Sequence, residues 1–363
     1  MSTSEYDSVR PPAMPRRRRG GGRRKRVGGP PGGNGNHEES MVPPVEFSSY
    51  YGHNIVKPPP WEWPVALYLF VGGVAGGSGV IAAGAQLTGR ETLRRNARLG
   101  AMTAVGISGA ALVADLGKPS RFYNMLRTFK VTSPMSVGSW ILTAFSLGLS
   151  GAVANEVDRM TGERLPLGPL RGLLRAIEGP AGLEAGLFGP PLAGYTAVLL
   201  ADTAVPTWNG AHRDLPFVFI SSASLASGGL AMITTPVAET GPARTLAQLG
   251  VIGDIAAMKY MESRMDPVLL EPLHHGTPGR LLKWAERLAI AGGIGSLFAG
   301  RSRSVAVASG AALMTASAFT RFGVFEAGLH SAKDPRYTVE PQKRRLAERR
   351  AAGITHDSIT TAG

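Results

Sequence analysis

Stretches of about twenty apolar residues recur along this chain. Nothing else constrains its fold so strongly, because that is the helix length that crosses the hydrocarbon core of a bilayer. Eight such spans are expected, near residues 64–88, 97–116, 135–154, 186–206, 215–236, 245–263, 283–300 and 303–325. The bulk averages point elsewhere: 44% hydrophobic residues and a mean hydropathy near zero would suit a soluble protein. They mislead because the charge is gathered into the two tails and a few loops. The expected fold class is an all-α integral membrane protein of about eight transmembrane helices.

The formal net charge of +13 raises the question of nucleic acid. Basic clusters that flank apolar spans are also what the positive-inside rule puts at the cytoplasmic face, and that reading is preferred, with no nucleic-acid partner. The chain has no cysteine, so it holds no thiolate-ligated iron-sulfur cluster and no disulfide. Its seven histidines, His37, His53, His212, His274, His275, His330 and His356, all lie outside the middle of an apolar span. A buried haem normally needs axial ligands such as His, so no haem is expected.

Four segments are expected. Residues 1–45, with arginines at 16–19 and 23–24 followed by a Gly/Pro/Asn stretch, cannot bury enough apolar surface to fold and read as a disordered basic tail. No apolar core directly follows those charges, which argues against a signal peptide or a twin-arginine signal. Residues 46–63 form an interfacial lead-in, held extended by Pro58 to Pro60 and carrying Trp61 and Trp63, residues suited to a membrane interface. Residues 64–326 form the membrane domain, and 327–363 a basic C-terminal tail.

Within the first span, GGVAGGSG at 72–79 sets Gly72 four residues from Gly76 and Gly73 four from Gly77. Small residues at that spacing let helices approach closely in lipid. A phosphate-binding loop would need a strand before the glycines and a helix after them. YLFVGGVAGGSGVIAA at 68–83 also aligns with FVFISSASLASGGLAM at 217–232, four spans later. That parallel repeat mildly supports two four-helix bundles side by side.

The loop charges oppose one another in setting the topology. With a cytoplasmic N-terminus, Lys118, Arg121, Arg127 and Lys130 fall inside, while Arg90, Arg94, Arg95, Arg98, Arg159, Arg164, Arg171 and Arg175 fall outside. Translocating the dense arginine cluster near the N-terminus is the harder alternative. Both termini are therefore expected in the cytoplasm, with the chain in the cell (inner) membrane.

Ionisable residues within spans cost about 2.5–3.5 kcal/mol each on insertion scales and are candidate functional groups. Asp115 ends the second span six residues before Arg121, and the turn at 117–119 would fold them together. They read either as a carboxylate and guanidinium beside a polar ligand or as a salt bridge closing a helix end. Asp202, Asp254, Lys259 and Glu262, together with Glu156 and Asp158 at the end of the third span and Arg321 and Glu326 near the end of the eighth, read as a polar file through one bundle, a proton path, or else as interhelical pairs without transport. A secondary transporter binding a coupling ion at Asp202 and Asp254 is a reading from another class, and a passive membrane anchor is a third.

Several separated motifs stand in a telling order: SYYG at 49–52, DLGKPSRF at 115–122, SPMSVGSW at 133–140, TAVPTWN at 203–209, LPFVF at 215–219 and AGLHSAKDPRYTVEPQKRR at 327–345. With them the chain resembles the NrfD/PsrC (polysulfide reductase membrane subunit) family from about Phe47 to Leu346. The resemblance implies a haem-free eight-helix subunit of a molybdenum and iron-sulfur oxidoreductase, docked on a ferredoxin-like iron-sulfur subunit and with it a molybdopterin catalytic subunit. It would exchange electrons and protons with a membrane quinone, menaquinone or ubiquinone, bound non-covalently. Asp115 and Arg121 would then be the proton-handling and polarising groups, with Tyr51, His53, Trp61, Trp63, Tyr123 and Trp140 around the head group. The basic N-terminal tail departs from the family pattern and puts in question the orientation in which the catalytic partners face outward.

Overall fold

A computed structural model describes residues 54–116 and 118–354, with the side chain of Arg121 excepted. The expected basic tail at 1–45, together with Tyr51 and His53, lies outside the described residues. Among the described residues the fold is all-helical. Its elements are α1 (Trp63–Leu87), α2 (Glu91–Asp115), α3 (Phe122–Leu126), α4 (Pro134–Met160), α5 (Leu170–Ala201), α6 (Pro206–Gly210), α7 (Leu215–Thr234), α8 (Gly241–Arg264), α9 (Pro267–His274), α10 (Gly276–Phe298), α11 (Arg303–Lys333) and α12 (Arg336–Ala351).

Eight of these helices have twenty or more residues, and their positions follow the expected spans. Five of the eight, α1, α2, α4, α7 and α11, are long and apolar enough to cross a membrane. The other three are long but more polar. Arg171, Arg175, Glu178 and Glu184 lie on α5, Asp254, Lys259 and Glu262 on α8, and Arg280, Lys283, Glu286 and Arg287 on α10.

Most of residues 327–354, expected as part of a C-terminal tail, are helical in the structure. α11 runs unbroken to Lys333, and α12 then packs back on the chain through Arg336 to Glu271 at 3.1 Å and Arg344 to Asp266 at 3.0 Å. Acidic groups on and beside α9 thus receive two arginines of α12.

α1 packs on α2 and α5, α4 on α5, α7 on α8 and α11, and α10 on α11, while α1 and α7 meet in the middle. The glycines of the first span explain the closeness of that centre. A Cβ on Gly76 would stand 2.4 Å from the Gly189 carbonyl oxygen of α5, and one on Gly73 would stand 2.9 Å from the Arg321 guanidinium of α11. Small residues are therefore required where backbones touch. The two segments aligned as a repeat are the central parts of α1 and α7, which pack against each other through Gly73 and Ala223.

The helix ends fall into two groups. Gln86, Arg94, Arg98, Glu156, Arg159 and Glu178 join the ends of α1 and α4 to the starts of α2 and α5, and we call this the Arg98 side. On the opposite, Trp61 side, Trp61 of the lead-in stacks on Trp208 of α6 at 5.8 Å, and Trp208 stacks on Phe325 near the end of α11 at 5.7 Å. The Trp208 indole donates to the Val324 carbonyl at 2.8 Å. Burying an indole needs such an acceptor, and a Cβ on Gly328 would stand 2.0 Å from the ring.

Candidate functional site

The stretch from Asp115 to Trp140 folds on the Trp61 side as a turn of 3-10 helix (Pro119–Arg121), α3 and the start of α4. Two of its hydroxyls are spent on the fold. Ser136 Oγ accepts the Lys130 N–H at 3.0 Å and donates to the Thr128 carbonyl at 3.0 Å, pinning the loop, and Ser133 caps α4. That is the usual work of serine at a helix start.

Beside this loop, α2, α3 and α4 enclose a groove of about 420 Å³. Its walls are apolar, with Phe122 and Leu126 at the loop end, and Ser139, Thr143 and Ser146 run along the α4 wall. Each of those three hydroxyls donates to a carbonyl of its own helix, at 2.8, 2.8 and 2.6 Å. Their oxygens therefore keep lone pairs to accept a hydrogen bond from a ligand. Gly106 and Gly109 of α2 leave space at this wall, since a Cβ on either would meet nothing within 4 Å.

The expected head-group residues are not gathered at one point. Trp61 belongs to the Trp208 stack, Trp63 is 65% exposed, and Tyr123 is 73% exposed beside Phe122. Trp140 is partly exposed and meets Phe129 edge to face at 6.1 Å. Asp115 is the half-buried last residue of α2, within Coulombic reach of Glu62. Its expected partner, the Arg121 side chain, lies outside the described residues. An aromatic side chain near an interface is compatible with many orientations, which residue spacing does not resolve.

Of Asp202, Asp254, Lys259 and Glu262, three come together and one does not. Asp254, Lys259 and Glu262 line a second cleft, of about 80 Å³, with His274 of α9, Lys283 and Glu286 of α10 and Thr320 of α11. Lys259 pairs with Glu286 at 3.3 Å and Glu262 with His274 at 3.5 Å. The pairing of Lys259 with Glu262 allowed by their spacing is thus replaced by partners from other helices. Asp202 stands exposed at the C-cap of α5 and is not among the residues lining this cleft.

Arg321, expected in the polar file near the end of the eighth span, lies deep in the fold. It is fully buried, its guanidinium lies 3.8 Å over the Phe219 ring, and it donates to the Phe219 carbonyl and to Thr196 Oγ1. The available signal was an arginine inside an apolar span. The joining of Arg98, Glu156 and Glu178 in one buried cluster is hidden in the sequence, because its members come from three different helices.

Long apolar helices packed through glycines, with charges buried between them, define a multi-pass membrane protein. The family model described as polysulphide reductase, NrfD, matches residues 53–262. The chain belongs to that family, membrane subunits of oxidoreductase complexes. A comparison with curated proteins gives no match.

Proposed function

We propose that this chain is the quinone-reactive membrane subunit of a molybdenum and iron-sulfur oxidoreductase. The observation that carries the reading is the groove between α2, α3 and α4, which abuts the Asp115 to Trp140 stretch and has a column of hydroxyl acceptors on one wall. An apolar slot with a few placed polar groups is what a ring with an isoprenoid tail requires. Phe122, Leu126, Leu142 and Leu147 would hold the ring and tail, and Ser139 would accept from a ring hydroxyl. Asp115, at the end of α2 beside the loop, would take or give the proton, with Arg121, six residues further on, to polarise a carbonyl oxygen. A quinone supplies two-electron, two-proton chemistry. The chain has no cysteine with which to hold an iron-sulfur cluster, so the electrons come from or go to a partner, which we assign as a ferredoxin-like iron-sulfur subunit with a molybdopterin catalytic subunit behind it.

We further infer eight spans in two four-helix groups, with the Trp61 side and both termini in the cytoplasm of a cell bounded by this membrane. The arginines of the Arg98 side, which argued against this orientation in the sequence, are largely engaged inside the fold. Arg94, Arg98 and Arg159 bind Glu156 and Glu178, Arg171 binds Asp158, and Arg303 caps the carbonyls of Met232 and Thr235. On the Trp61 side Lys118, Arg127, Lys130, Arg213, Lys333 and Lys343 stand exposed. The Trp61 side carries more exposed lysines and arginines than the Arg98 side, so the positive-inside rule favours the Trp61 side inside.

The test is quinone-coupled turnover of the assembled complex, normalised to its amount, for Ser139→Leu and Asp115→Asn. Ser139→Leu narrows the groove and is expected to raise the KM for quinone. Asp115→Asn removes a proton acceptor and is expected to lower turnover by about 10²–10⁴-fold, the usual weight of a general base. Unchanged kinetics in both variants would remove the groove from the reaction.

A further inference from the structure

The cleft between α8, α9, α10 and α11 is lined by Asp254 and by Thr320, whose neighbour in sequence is Arg321, and Asp254 and Arg321 are both buried and incompletely bonded. Asp254 is 6% exposed and its Oδ1 has no partner among the described residues. Arg321 is fully buried and its Nε likewise has none. The two sense each other's charge, yet they form no ion pair within 4.0 Å. A buried carboxylate oxygen at the wall of a polar cleft is what ordered water satisfies. The cleft, at about 80 Å³, has room for several waters, given that a cavity needs roughly 10–15 Å³ of such space for each.

Every element packed around the cleft contributes a charged or titratable group. α8 supplies Lys259 and Glu262, α9 His274, α10 Lys283 and Glu286, and α11 Arg321, next in sequence to the lining Thr320. The outer pairs, Lys259 with Glu286 and Glu262 with His274, are partly exposed and stand near the ends of α8 and α9 on the Trp61 side. The inner wall is closed. The Arg321 guanidinium fills the space between Gly73 of α1, Thr196 of α5 and Phe219 of α7.

We propose that Asp254 is a proton-binding site, supplied by water from the Trp61 side through this cleft, with Arg321 as the fixed cation that closes it toward the centre of the fold. A proton delivered by a cleft water binds Asp254 Oδ1 and leaves the buried pair with the single positive charge of Arg321. Its release to the same water restores a neutral pair. No redox partner or quinone takes part, so the site stands independently of the quinone reading and is carried by different helices.

The experiment uses the full chain in proteoliposomes, without quinone or partner subunits. Infrared spectra recorded across a pH titration are expected to show a protonated-carboxyl band that grows with acid, is lost in Asp254→Asn, and is retained at a shifted frequency in Asp254→Glu. Carbodiimide modifies protonated carboxyl groups, so wild-type protein should be labelled at Asp254, as located by mass spectrometry, which needs no variant to fold. A water-soluble carbodiimide should reach Asp254 from the Trp61 side and at least tenfold more slowly from the Arg98 side. An unlabelled Asp254 together with a titrating band that survives in Asp254→Asn would overturn the site. Equal labelling from both sides would overturn the closed inner wall. Failure of the quinone reading would register in the groove variants instead and leave these measurements unchanged.

Discussion

Arg98 and Glu178, eighty positions apart in the chain, meet at 2.6 Å with only 1% of the arginine side chain exposed. The same guanidinium reaches Glu156 at 2.7 Å and Gln86 at 2.6 Å, so one side chain ties together α1, α2, α4 and α5. An ion network of this kind adds little over a well-packed apolar core. Breaking it by removing one partner is costly, since a buried charge is left alone. Replacing Arg98 with Gln is therefore expected to lower stability by about 3–5 kcal/mol. Thermal unfolding of the detergent-solubilised chain measures it, and a double-mutant cycle with Glu178→Gln should recover a large part of the loss. A single-variant loss below 1 kcal/mol would show that the cluster is not dry.

Two glycines of α1 should respond in opposite directions to alanine. Gly76 lies against the Gly189 carbonyl, where a Cβ would stand at 2.4 Å, so Gly76→Ala is expected to destabilise, by about 1–3 kcal/mol as an overpacked contact. Gly84 has nothing within 4 Å, so Gly84→Ala is expected to be neutral or to stabilise by up to about 1 kcal/mol through helix propensity. Unfolding midpoints of the two variants, compared in one detergent, decide this. Equal shifts would contradict the close approach of α1 and α5.

Glu239 gives a dependence on pH. It lies outside the long helices and accepts the Leu93 N–H at 2.9 Å, capping the start of α2 from another segment. Hydrogen bonds from the Thr92 side chain and from Leu93 hold its carboxyl below the usual glutamate range. A carboxyl depressed in the folded state stabilises above its unfolded pKa and loses that contribution as pH falls through the folded value. Wild type should therefore be more stable than Glu239→Gln at neutral pH, and the gap should close in acid. Melting temperatures of both proteins from neutral pH down to below the usual glutamate range test it, and a constant gap would sink the cap.

Topology can be read directly. With the Trp61 side inside, a fluorescent protein fused after Gly363 should be bright and an alkaline phosphatase fused there silent. Active phosphatase with a dark fluorescent fusion would put both termini outside and reverse the orientation argued from the exposed lysines and arginines.

Much of the architecture is legible in the chain itself. Apolar length fixes roughly where a helix crosses a bilayer, and the positions of α1, α2, α4, α7 and α11 follow from it, although α11 runs on to Lys333. The small-residue spacing at Gly73, Gly76 and Gly77 likewise marks the contact face of α1, because a Cβ there would collide with α5, α7 or α11. Motifs separated along the chain identified the family. The tertiary structure alone decided which charges meet. Asp254, Lys259 and Glu262 look like a file with Asp202 in one dimension, but Asp202 caps an exposed helix end while His274 and Glu286 enter from other helices. Trp61 and Trp63, two residues apart, point to a packed aromatic stack and to the exterior respectively. Side-chain partners depend on how helices rotate and slide against one another, and that is set by packing summed over the whole fold. Local spacing carries no record of it.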